Sequence, residues 1–183
     1  MVGRHAGRIG LAALLALAAG TAAARADGIC KGSMSGSPLQ PLATPVTISL
    51  AQPVRDDANP GLTEDFLAGL RKAGQAVVAA NQGSVQLDMT FTVKGPGGAN
   101  GNGNTFRGFG WVSGTQAPGG AAGVPVGSVV SVSIEATNLS NQSLSWIGSI
   151  SCVVQAGDAD QLATHFGELI GRALGRSITQ QAF

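Results

Sequence analysis

From Ser84 to Lys94 the chain alternates without a break. Val85, Leu87, Met89, Phe91 and Val93 fall on one side, Gln86, Asp88, Thr90 and Thr92 on the other. A period of two over this length predicts a strand with one buried and one wet face. The same period returns in 126–137, where Val126, Val130, Val132, Ile134 and Ala136 share a side. It returns again in 143–154, through Leu144, Trp146, Ile150, Cys152 and Val154. The polar tract Asn138–Gln142 between them predicts a hairpin. Val46–Leu50 is a shorter alternating run that stops before Pro53,. Gln75–Ala80 has the makings of a brief edge strand, and 106–113, with Phe109 and Trp111 two apart, of another.

Two stretches carry the helical period instead. Asn59-Pro60 supplies a cap and a first-turn proline, and Leu62, Phe66, Leu67 and Leu70 form a stripe at spacing three to four,. Arg71, Lys72 and Gly74 close a helix predicted over about 60–73,. Asp158 caps a second, over about 159–178, with Leu162, Phe166, Leu169, Ile170 and Leu174 as its stripe,. Beside that stripe runs a row of small residues, Ala159, Ala163, Gly167, Gly171 and Gly175. Mid-helix glycine costs about 1 kcal/mol against Ala, so something offsets it. The choices are close approach to the sheet or the first helix, and docking of an external helix. The fold class this order predicts is α+β: a two-layer sandwich in which an antiparallel sheet of four to five strands carries two helices on one face.

The N-terminus changes the picture of where the chain works. Arg4, His5 and Arg8 precede the apolar run Ile9–Ala19, and Ala24-Arg25-Ala26 offers small residues where signal peptidase cuts,. The run is shorter than the ~20 apolar residues a bilayer span needs. Residues 1–26 are therefore read as a cleaved signal peptide, 27–45 as an extended Gly/Ser/Pro-rich arm, and 46–183 as one domain,. Glycine-rich loops are expected at 95–104 and 114–125,. The expected location is periplasmic or secreted. Three of the 11 Lys and Arg leave with the leader while all 10 Asp and Glu stay, so the balance turns slightly acidic. That argues against nucleic acid and anionic membrane as partners. Cys30 and Cys152 are the only cysteines. In an exported chain an even pair reads as a disulfide, against the rival of two free buried thiols.

Catalytic chemistry is thin. Beyond the leader His165 is the only histidine, no second His or free Cys stands at metal-ligand spacing, and there is no Gly-x-Ser-x-Gly elbow,. Asp56-Asp57, Glu64-Asp65 and Asp158 with Asp160 are accounted for by helix starts and early turns,. Asp88 and Glu135 lie on strands and come near one another if those strands are neighbours. The Asn/Gly tract lacks the Lys-Ser/Thr of a phosphate loop and the spacing of a calcium loop. Asn138-Leu139-Ser140 matches a glycosylation acceptor, in a turn where those residues are expected anyway,. No cofactor or metal is expected. Trp146 sits in regular alternation and is assigned to the core. Trp111, flanked by glycine-rich segments, has less cover, and Phe109 with Trp111 is the candidate partner-binding pair,.

Val46–Leu50, Asn59–Gly74, the strand 84–94, the arm Leu144-Ser145-Trp146-Ile147-Gly148-Ser149 and the helix 159–178 follow a familiar order. The order resembles that of small α+β bacterial envelope domains of the lipopolysaccharide-assembly lipoprotein type. Those carry a lipidated Cys at the mature N-terminus. Here Asp27-Gly28-Ile29 precede Cys30 and do not fit lipidation,. The resemblance implies a non-catalytic periplasmic binding or assembly-accessory module, with another envelope or extracellular protein as partner. The alternatives are a secreted ligand-binding, inhibitor or surface protein, and, behind both, a hydrolase.

Overall fold

The computed structural model describes residues 28–51, 60–96, 104–107, 124–155 and 158–183. Residues 1–27 and the greater part of the two glycine-rich tracts lie outside them. The elements are β1 (Cys30–Pro38), β2 (Thr47–Leu50), α1 (Pro60–Lys72), β3 (Ala76–Val77), β4 (Val85–Lys94), β5 (Asn104–Arg107), β6 (Val129–Asn138), β7 (Ser143–Val154), α2 (Ala159–Ala173) and β8 (Ile178–Ala182). This is a mixed α+β fold around one open sheet. The strand order is β3-β2-β4-β6-β7-β1-β8, with β5 paired to β4 beside this path.

The long strands stand where alternation put them, and their inner residues Leu87, Phe91, Val132, Ile134, Trp146 and Ile150 are buried. Leu62, Phe66 and Leu70 of α1 and Leu162, Phe166 and Ile170 of α2 join the same core. Phe91 and Phe166 bring sheet and helix together at 6.3 Å between ring centres.

Two features correct the sequence reading. The sheet is mixed, not antiparallel, because β2 pairs in parallel with both β3 and β4. A parallel pair needs a crossover connection, and α1 supplies it between β2 and β3. Thr47 and Ser84 lock the β2–β4 junction by exchange: Thr47 N–H donates to Ser84 Oγ at 2.9 Å, and Ser84 N–H to Thr47 Oγ1 at 2.8 Å. The sheet also has more strands than expected, β1 and β8 being the additions on one side. β1 forms within the Gly/Ser-rich segment by pairing along its whole length with β7. Gly36 and Gly148 leave room there for the Trp146 indole; a Cβ at Gly36 would stand 2.7 Å from its ring. β8 exists because α2 stops early. Gly175 adopts φ 76°, a backbone favouring glycine, and the helix has ended before Ile178,.

The small-residue stripe of α2 lies against α1. A Cβ on Gly167 would sit 3.0 Å from Gly69 Cα, and one on Gly171 would sit 2.6 Å from Ala73 Cβ. The glycines thus let two backbones close together, which returns in packing what they cost in helix propensity.

Candidate functional site

Cys30 and Cys152 are bonded, with Cα atoms 5.7 Å apart across 122 residues. Both are buried, at the end of β1 where it pairs with β7. The cross-link fixes the register of a strand whose own composition does little to specify it.

That register aligns the outward residues of four neighbouring strands. On the outer side of the sheet β4, β6, β7 and β1 run antiparallel, and their outward residues line up in rows. One row is Thr90, Ser133, Ser149, Ser35; the next is Thr92, Ser131, Ser151, Ser33. These are eight hydroxyls in a two-by-four array. The Ser131 and Ser151 hydroxyls stand 3.3 Å apart, within hydrogen-bond reach. An outer row lies on each side of the array. One is Asp88, Glu135, Ile147, Ser37; the other is Lys94, Val129, Val153, Lys31. Asp88 and Glu135 are thus direct cross-strand neighbours, set opposite each other by the β4–β6 register. Ile147 and Val153 are each 40% exposed.

The other candidate chemistry is scattered. Glu64-Asp65 lies on α1, where Glu64 faces Arg71 at 3.8 Å on the surface. Burial pushes the Asp65 carboxyl above its ordinary value, with repulsion from Asp160, Asp158 and Glu64 adding to it. Asp158 caps α2, its Oδ1 accepting from the Asp160 N–H at 3.2 Å. Among the described residues no group of three or more His, Cys, Asp and Glu could hold a metal ion.

His165 is half-buried on α2, its ring 5.7 Å from that of Phe183, and its Nε2 is buried without a hydrogen-bond partner. Burial lowers its pKa below the ordinary value; Glu168 opposes this, and Arg172 and Lys72 reinforce it. Glu168 is itself engaged by Lys72 at 2.6 Å and Arg172 at 3.0 Å.

A shallow open cleft of about 570 Å³ lies between Pro38–Leu42 and Leu174–Gly175. Its lining holds no titratable side chain.

Trp146 is fully buried, and its Nε1–H donates to the Arg176 carbonyl at 3.0 Å. Asn138 is buried as well. Its Oδ1 accepts from Ala43 N–H at 3.1 Å and its Nδ2 donates to the Pro41 carbonyl at 3.2 Å. Its amide anchors the β1–β2 connection, a use the acceptor pattern in the sequence does not suggest. Phe109, Trp111 and Asp56-Asp57 lie outside the described residues. The hydroxyl array escapes a reading of the sequence because each strand shows its polar side separately, and only the pairing aligns them.

No family model matches the chain, and no curated protein matches it. Among solved structures, it is similar to the PelC dodecamer from Paraburkholderia phytofirmans at 15% identity and TM-score 0.48, covering 78% of this chain and 98% of that one. A point variant of the same PelC dodecamer gives 16% identity and TM-score 0.45, covering 79% and 97%. A PDZ domain protein from Parabacteroides distasonis gives 9% identity and TM-score 0.45, covering 84% of this chain and 39% of that one.

Proposed function

We propose that this chain is a non-catalytic binding module, exported to the periplasm, that serves a cell-envelope assembly through the outer face of its sheet. The observation that carries the reading is the aligned hydroxyl array, flanked by exposed Ile147 and Val153. Hydroxyls donate and accept, so a regular array of them can meet a polar partner surface without leaving groups unsatisfied. Small side chains lose little rotamer freedom when covered. The scattered titratable groups described above support a binding role over a hydrolytic one.

The Cys30–Cys152 bond suits an oxidising compartment,. Among the described residues no helix is long and apolar enough to cross a membrane. Both are compatible with the periplasm.

Ser133→Arg combined with Ser149→Arg tests the reading, with Gln161→Ala on the exposed side of α2 as a control. The arginine pair, at unchanged melting temperature, is expected to abolish capture of the native partner from envelope extract, and the control to retain it. Equal capture by wild type and the arginine pair would refute the reading. Recovery of the chain from the culture medium would move it to the secreted class.

A further inference from the structure

We infer that the partner for which the outer sheet face is built is a second copy of this chain, related by a two-fold axis running across the strands between the two hydroxyl rows. The inference rests on the reading of that face as the binding surface. It goes further by naming the occupant.

The argument is the symmetry of the grid. Turn a copy about that axis and lay it on the first. Each strand then meets its own equivalent running the opposite way, and the two outer rows exchange places. Ile147 comes over Val153 of the second copy, and Val153 over Ile147. These two exposed large apolar side chains thus cover each other, though within one chain they sit on the same strand, six residues apart. Asp88 comes over Lys94, since both lie on β4 in opposite outer rows. Glu135 comes over Val129, beside that same lysine, which is Val129's neighbour across the β4–β6 pair. Hydroxyl row meets hydroxyl row: Ser149 faces Ser151, Ser133 faces Ser131, and Thr90 faces Thr92. A two-fold interface must be self-complementary in this way, residue i meeting j while j meets i. The exchange of rows holds for any such grid; what is particular here is that it sets Ile147 over Val153 and Asp88 over Lys94.

Size sets the strength. Strands about 4.8 Å apart and outward residues about 6.7 Å apart along each strand give this grid roughly 500 Å² of flat area. Two copies would cover about 1,000 Å² in all, near the lower limit for a specific interface. A reversible, concentration-dependent dimer is expected, with the two sheets aligned and antiparallel across the axis.

The test is sedimentation equilibrium on the full chain as the cell processes it. Ile147→Asp and Val153→Lys are made singly and together, with thermal melts confirming that each variant folds. Each single change acts twice in a symmetric dimer and is expected to weaken it about tenfold or more. The double variant sets the new carboxylate at position 147 against the new ammonium at position 153 of the second copy. It is expected to recover dimerisation, lost again in high salt. A wild-type chain that stays monomeric at millimolar concentration overturns the inference, as does a double variant no better than the singles. If the chain is monomeric but Ser133→Arg with Ser149→Arg still abolishes capture, the face binds another protein and only the choice of occupant is wrong.

Discussion

The two faces of one sheet make the sharpest contrast in this molecule. On the inner side Phe91, Ile134, Trp146 and Ile150 are buried with both helices in one core. On the outer side the intervening residues of the same strands are Thr90, Ser133, Ile147, Ser149 and Ser151. Stability is concentrated on the first face, because apolar area removed from water is the main favourable contribution to folding. The second face contributes little to stability, and it is the side that the proposed binding would use. Alternation along a strand therefore assigns two jobs to neighbouring residues, and each can be perturbed without the other.

The largest effect should come from the bond that holds the register common to both faces. Closing a loop across 122 residues stabilises by roughly 4–5 kcal/mol in the chain-entropy model,. Reduction with dithiothreitol should therefore lower the melting temperature by on the order of 10 °C. An unchanged melt would mean β1 is held without it. Next, Trp146→Ala removes the largest buried side chain and its bond to the Arg176 carbonyl. Urea unfolding should show a loss of about 3–5 kcal/mol. Ser149→Ala, on the exposed side of the same strand, should stay within about 0.5 kcal/mol,. Comparable losses at the two positions would erase the distinction between the faces.

A smaller loss is expected where the helices meet. Gly167→Val forces side-chain atoms into the Phe66 backbone of α1 and should cost about 1–3 kcal/mol or more,. A neutral result in chemical denaturation would show that the helices can move apart freely. The smallest effect is the one at His165, whose native pKa is lowered chiefly by burial. The unfolded state then takes up a proton before the native state does, so stability is intact above about pH 6.5 and falls as pH drops through and below it. His165→Gln should flatten that part of the pH–stability curve. A slope of this sign that persists in the variant would assign it to other groups; the raised Asp65 carboxyl is not among them, because it favours the folded state as pH falls,.

The sequence makes the inner face easy to read. The unbroken alternation from Ser84 to Lys94 and the stripes of α1 and α2 announce it through period alone,. The disulfide follows from a single cysteine pair in a chain with a leader-like N-terminus. What escapes is pairing. Nothing in Thr47–Leu50 says that it runs parallel to β4, because direction depends on how α1 crosses over,. Cys30–Pro38 has no β-branched residue, and it becomes a strand through β7 and the cross-link. The apolar and small-residue stripes run on through Leu174 and Gly175, so period alone carries α2 to about 178. The backbone in fact turns at Gly175, and that frees Ile178–Ala182 to pair with β1. The outer grid is hidden for the same reason. Its serines and threonines are visible strand by strand, but a slip of one residue in register would turn them to the core side. Phe109 and Trp111, the pair that sequence context favours for binding, fall outside the described residues.

Amide chemical shifts followed from micromolar to millimolar concentration put the division of labour to its most direct trial. The account predicts changes confined to the central grid, at Ser131, Ser133, Ser149, Ser151 and their neighbours Ile147 and Val153, while α1 and α2 stay fixed. Shifts that gather on the helices, or none anywhere in the sheet, would contradict it.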